Sequence, residues 1–189
     1  LITITDNVDI ANKDLNIVAP DADCLTIPKG LWMASASDRL FVLSYEASGA
    51  YSTPSYSALW ASETLNFSRF YRFHKDEFSG TRNALQGEIG ICLKSFPTSV
   101  YGVSTMLLWT SEWLYRFSPT SASAINQLER ISPYGTWAPY SVAASKDSVY
   151  WVDQNRVVRR YSGRGVEDLS SETVQDKFDL VGGTAWAVN

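Results

Sequence analysis

The run DSVYWVDQNRVVRRYSGRG, Asp147 to Gly165, decides how the rest of the chain is read. Val149, Tyr150, Trp151 and Val152 make an apolar run of strand length, Gln154 and Asn155 supply a turn, and RVVRRYS follows as a second run that ends at Gly163 and Gly165. β-Branched and aromatic residues bounded by Asp, Asn and Gly are the composition of a hairpin. The first run lacks the in-and-out alternation of a sheet with one wet face, so both its faces must be covered.

The same phrase recurs along the chain. LWMAS, the turn Ser37-Asp38 and RLFVLSY make one copy, and MLLWTS followed almost at once by WLYRFS makes another. SALWAS at 57 to 62 reads as a further strand, EIGICLKSF as another, and LVGGTAWAV as the start of a fourth copy. The apolar centres Phe41, Trp109, Trp151 and Trp186 lie about 70, 40 and 35 residues apart, with Trp60 inside the widest gap. Imperfect repeats of about 40 to 50 residues, each a few short strands, mark β-propeller blades. An inner blade strand is packed between two neighbouring blades, which accounts for VYWV and MLLWT. A β-sandwich makes the same demand more weakly, and a sandwich or barrel is the alternative.

The expected class is therefore all-β, with propeller-like repeats of short antiparallel strands. Residues 31–189 are the propeller-like domain, and residues 1–30, with short apolar runs LITIT and LNIVA, are an unassigned N-terminal segment. Three to four blades fit in 189 residues, so the repeats are expected to be part of a larger propeller, and a chain that opens on Leu1 reads as a piece of a longer protein. SASAINQLERI (121–131) and SSETVQDKF (170–178, with Ser171 as a cap) read as the helical candidates. The Ser- and Tyr-rich span 46–57 reads as a long loop, while the aromatic-rich span 67–78 has no clear period.

Composition excludes several classes. At 45% hydrophobic and 13% aromatic the chain can bury a core, and a net charge of -4 argues against the broad basic surface of a non-specific nucleic-acid binder. Cys24 and Cys92 are too few for a disulfide framework and wrongly spaced for zinc, so they read as isolated thiols. No apolar run approaches the roughly 20 residues of a membrane-spanning helix. His74 is the single histidine, which rules out metal sites built on several and restricts any Ser-His-Asp or Cys-His arrangement to that residue. Gly163-Arg164-Gly165 lacks the third glycine of a dinucleotide loop, and no GxxxxGK[ST] occurs, so no nucleotide cofactor is expected. The acidic opening with Asp6, Asp9, Asp14, Asp21 and Asp23 lacks the spacing of a calcium loop, and Asn66-Phe67-Ser68 is a sequon of the kind that arises by chance.

Three groups remain as candidates. Arg156, Arg159, Arg160 and Arg164 are the one dense basic group; on a strand Arg156 and Arg160 share a face and Arg159 takes the other. They read either as edge charges that discourage unwanted pairing or as a contact with DNA or an acidic subunit. Tyr51 and Tyr56, outside the apolar runs, are the candidates for stacking on sugar rings. Glu46, Glu63, Glu112 and Asp153 are carboxylates that a propeller mouth can pair as a glycosidase acid and base, although the sialidase-type repeat SxDxGxxW is absent.

STPSYSALWAS, MLLWTSEWLYRFS and ISPYGTWAPYSVAAS followed by DSVYWVDQNRVVRRYSGRGVEDLSSETVQDKF together resemble the propeller proteins of bacteriophage tails. These are the tail-hub or packaged-DNA stabilisation proteins and the tubular nozzle proteins of tailed phages. On that likeness, which spans about residues 31–179, Tyr134, Gly135, Ala138 and Pro139 sit at a blade junction. Trp151, Val152 and Asp153 supply a strand and turn, and Gly163, Leu169, Ser170 and Val174 the exit. The span 67–78 and the acidic N-terminal segment have no counterpart in it. The resemblance implies a non-enzymatic virion protein of the tail or head-to-tail junction, without a cofactor. It would work as a homo-oligomer in a multi-copy ring with other virion proteins and in possible contact with packaged DNA. The competing class is a carbohydrate-binding or glycoside-hydrolysing propeller.

Overall fold

The computed structural model describes residues 24–25, 30–47, 54–71, 81–85, 88–97, 104–120 and 127–170. They are all-β, in three antiparallel sheets. The second sheet is the meander β7 (Gly90–Ser95), β8 (Met106–Thr110), β9 (Leu114–Phe117) and β10 (Glu129–Ser132). The third is the meander β11 (Ala143–Ala144), β12 (Val149–Val152), β13 (Val158–Tyr161) and β14 (Val166–Asp168). The first sheet keeps the same plan with an excursion. β2 (Gly30–Ala36), β3 (Arg39–Ala47) and β4 (Pro54–Glu63) pair in order, and β6 (Thr81–Leu85) lies against Ser57–Ala61 of β4 as the fourth strand. Between them in sequence β5 (Asn66–Tyr71) pairs with the end of β4 and carries β1 (Cys24–Leu25) on its other edge.

The second and third sheets are thus units of four consecutive strands, the building block of a propeller blade, and the six-stranded first sheet contains such a unit in β2, β3, β4 and β6. The hairpin signals in the sequence are those that fold. Ser37 and Asp38 adopt φ of 47° and 59°, the paired left-handed conformation that matches a two-residue turn to the twist of β2 and β3. Between β8 and β9 only Ser111, Glu112 and Trp113 intervene, and Thr110 closes that loop by accepting the Trp113 amide on its hydroxyl at 2.9 Å.

The sheets stack face to face, and β8 shows why its sequence has no polar face. All five of its residues are buried. Met106 and Leu108 point into the first sheet, against Phe41, Leu43, Leu59 and Ala61, while Leu107 and Trp109 point into the third, against Val149, Trp151 and Tyr161. Burying each such side chain contributes about 1.5–3 kcal/mol. The first two sheets also touch through Gly90, whose amide donates to Ser57 Oγ at 2.8 Å; a Cβ there would stand 2.6 Å from Leu43 Cδ1, so a larger residue would require the Leu43 side chain to shift. Trp32 of β2 completes this contact by donating from Nε1 to the Leu93 carbonyl of β7 at 2.8 Å.

Several expectations need correction. The helix expected at 121–131 is not helical at its described end, where Glu129–Ser132 forms β10 paired with β9; Arg130 lies opposite Tyr115, so the polar run serves as an edge strand. The loop expected at 46–57 is shortened from both sides, because β3 runs through Ala47 and β4 begins at Pro54. The front of the aromatic-rich span, Asn66–Tyr71, is strand β5. LITIT, LNIVA, residues 171–178 of the second helical candidate, and LVGGTAWAV lie outside the described residues.

Candidate functional site

The segment PYGTWAP, 133–139, joins the last strand of the second sheet to the first strand of the third. Glycine is required at 135 because the chain passes against the β8–β9 loop. A Cβ on Gly135 would lie 2.3 Å from the Thr110 carbonyl oxygen and 2.7 Å from the Glu112 backbone. That closeness lets the Gly135 amide donate to the Glu112 carbonyl and the Thr136 amide to the Thr110 carbonyl, both at 3.0 Å. Thr136 then reaches the other way, its hydroxyl donating to the Val152 carbonyl of β12 at 2.7 Å and accepting the Ala138 amide. Trp151 Nε1 donates to the Tyr134 carbonyl at 3.2 Å, and Gln154 Nε2 to that of Pro133 at 3.0 Å. One short segment is therefore hydrogen-bonded to two sheets at once.

Beside it, Asp153 organises the β12–β13 turn. Its carboxylate, wholly buried, accepts the amides of Asn155 and Val157 at 2.8 and 2.9 Å and the Arg159 guanidinium at 2.9 Å. Arg159 lies with its guanidinium carbon 3.8 Å from the centre of the Tyr134 ring and also faces Asp168 at 3.4 Å. A buried charge survives when it is paired and hydrogen-bonded, and here a cation, two carboxylates and an aromatic face satisfy one another.

The arginines expected to act together are separated. Arg159 is buried in this clamp. Arg160, on the opposite face of β13, donates to Ser148 Oγ at 3.1 Å and reaches Glu167 at 3.5 Å. Arg164 is exposed beyond the end of β13. Arg156 does not share a strand face with Arg160, because the turn held by Asp153 extends to Val157 and leaves Arg156 at φ 64°. Of the sugar-stacking candidates, Tyr51 and the side chain of Tyr56 lie outside the described residues; the Tyr56 backbone pairs with Glu46. Among the carboxylates, Asp153 is committed to its turn, Glu63 faces Arg69 at 3.4 Å, Glu112 is exposed and the Glu46 side chain lies outside the described residues. Cys92 is a free thiol under Trp109 and Phe96, and burial pushes it well above the ordinary thiol range. His74 lies outside the described residues, as does the Cys24 side chain.

Two groupings escaped the sequence reading. The first is polar. Glu88 accepts hydrogen bonds from the Tyr115 hydroxyl at 2.5 Å, Thr110 Oγ1 at 2.7 Å and Arg130 at 3.1 Å, and Arg130 also lies 4.7 Å from the Trp113 ring centre. Burial first, then the hydrogen bond to Glu88, raises the Tyr115 phenol above its ordinary value. The second is aromatic. Trp137 and Tyr140 in the junction are 55% and 76% exposed, and Tyr140 meets Trp32 with ring centres 5.8 Å apart. Only the repeated Trp and Tyr of WAPY signalled it, and aromatic content alone does not separate core from surface.

No family model, curated protein or solved structure matches this chain. Among the described residues no helix is long and apolar enough to cross a membrane, and no group of three or more His, Cys, Asp or Glu is placed to hold a metal ion.

Proposed function

We propose that the chain is a structural component of a phage virion, in the tail or at the head-to-tail junction, assembling with other virion proteins in a multi-copy ring and acting through protein contacts rather than catalysis. The observation that carries this reading is the junction segment. Tyr134, Gly135, Ala138 and Pro139, which the likeness to tail propeller proteins assigns to a blade boundary, lie in the segment 133–139, which Gly135 and Thr136 bond to the β8–β9 loop and Thr136 and Tyr134 bond to β12. A scaffold role also suits the Asp153–Arg159 clamp, which spends its charges on holding a turn and a neighbouring segment. On this reading any contact with packaged DNA falls to Arg156, Arg160 and Arg164, which lie outside the buried clamp, and not to Arg159.

Two measurements test the proposal together. Mass spectrometry of purified virions is expected to find the chain as a stoichiometric component, and sedimentation of the intact chain is expected to give a closed oligomer. A chain absent from virions that sediments as a stable monomer overturns it.

A further inference from the structure

We propose that two copies of this chain close one ring, the outer face of the first sheet in each copy docking on the outer face of the third sheet in the other. The inference rests on the multi-copy reading above and names the faces that meet. Among the described residues there are three four-stranded units, and a propeller closes on about four to eight. The first strands of these units converge, as the inner strands of blades do. Trp32 of β2 packs against both buried interfaces and donates to Leu93 on β7. It also meets Tyr140, just before β11, with ring centres 5.8 Å apart.

Both ends of this stack are apolar where a solvated sheet would turn polar residues outward. At one end Met33 pairs with Val42 and so shares the first sheet's outer face, away from Trp32, Ala34 and Ala36. β5 covers part of that face by packing Phe70 with Val42 and Trp60, and leaves β2 open, with Leu31 56% and Met33 60% exposed. At the other end Val149, Trp151 and Tyr161 turn toward the second sheet, so Ala143, Tyr150, Val152 and Val158 form the outer face, beside Arg160 paired with Glu167. Ala143 is exposed, the other three are half-buried, and none of the four packs into a core cluster. A second copy covers both ends at once. The contact is head-to-tail, and a half-turn rotation makes it twice. Two copies bring six units, within the range that closes, and the contact continues the stacking by which β2 already lies against β7. DNA does not suit the open strip on β2, which carries no cation.

The test is sedimentation equilibrium of the intact chain, of Met33→Lys, of Val158→Glu and of an equimolar mixture of the two variants, with melting temperatures measured in parallel. The expected result is a wild-type dimer, a dissociation constant raised about tenfold or more in each variant, and recovery in the mixture. There one contact is native on both sides and the other sets lysine against glutamate, which a face meeting its own copy cannot reproduce. Met33 is exposed, so Met33→Lys decides the case alone if Val158→Glu lowers the melting temperature. A wild type that stays monomeric at high protein concentration overturns the inference and leaves these faces to another partner. Variants that associate as the wild type does also overturn it. A larger ring indifferent to Met33→Lys overturns it while the multi-copy reading stands, whereas a complementing dimer absent from virions keeps it and removes the virion assignment.

Discussion

The two faces of the second sheet are built differently. Toward the first sheet, ten buried residues, among them Phe41, Leu43, Leu59, Met106, Leu108 and Phe117, fill the space by volume, with Phe41 and Phe117 edge to face at 5.4 Å. Toward the third sheet the buried set is smaller, and only Val149, Trp151 and Tyr161 come from that sheet. There the contact relies on large rings, Trp109 against Trp151 at 5.7 Å and Phe96 against Tyr161 at 5.4 Å, and on the hydrogen-bonded segment 133–139. The first interface tolerates exchange of one apolar shape for another, since volume decides it. The second depends on particular atoms, because short strands such as β11 and β12 offer too little area to hold a sheet by burial alone.

Neighbouring residues on β8 expose this difference most strongly. Trp109→Ala is expected to cost about 3–5 kcal/mol by chemical denaturation and to loosen the third sheet first, whereas Leu108→Ala should cost about 2–5 kcal/mol and leave the third sheet's amides protected relative to the rest. Equal loosening of all sheets by both variants breaks the distinction. Asp153→Ala should cost about 3 kcal/mol, because Arg159 remains buried with Asp168 as its remaining carboxylate and the Asn155 and Val157 amides lose their acceptor. A loss near zero would mean that the clamp does not hold the junction.

Gly135→Ala sharpens the same contrast. Its Cβ meets backbone at the β8–β9 loop, which cannot swing aside as a side chain can, so a cost of about 1–3 kcal/mol is expected in the equilibrium stability. The smallest effect concerns pH and belongs to the first interface. The Tyr115 phenol is raised in the folded chain, so the folded state holds this proton more tightly than the unfolded one. Its contribution is complete below the ordinary tyrosine value of about 10 and is lost as pH rises through the folded value. Tyr115→Phe should therefore flatten the fall of stability with pH above that point, as followed by denaturation at a series of alkaline pH values; an unchanged slope would show that the phenol does not titrate with unfolding.

How much of this was legible in the chain follows from which interactions are local. The hairpin at Ser37-Asp38 and the two-sided burial of MLLWT are properties of short runs, and they stand in the structure as read. The hairpin at Gln154-Asn155 forms with a turn that extends to Val157, and VYWV is not covered on both faces, since β12 alternates buried Val149 and Trp151 with half-buried Tyr150 and Val152. The fate of the arginines was not legible, because it depends on Asp153, Asp168 and Tyr134, brought to Arg159 by the turn and by the neighbouring sheet. The strand at Glu129–Ser132 was misread as helix because its polar composition suits a helix end as well as an edge strand, and only pairing with β9 separates the two. Trp137 and Tyr140 were grouped with the core rings on the argument that rings within apolar runs pack inside, yet both are exposed in the segment that follows β10.

The central claim is that β8 is a strand covered on both faces by neighbouring sheets. Native-state hydrogen exchange of residues 106–110 tests it directly. The expected result is that these amides exchange only through global unfolding, far more slowly than those of the edge strands β2 and β14. Exchange of β8 at the rate of those edges would contradict the stacked-blade account.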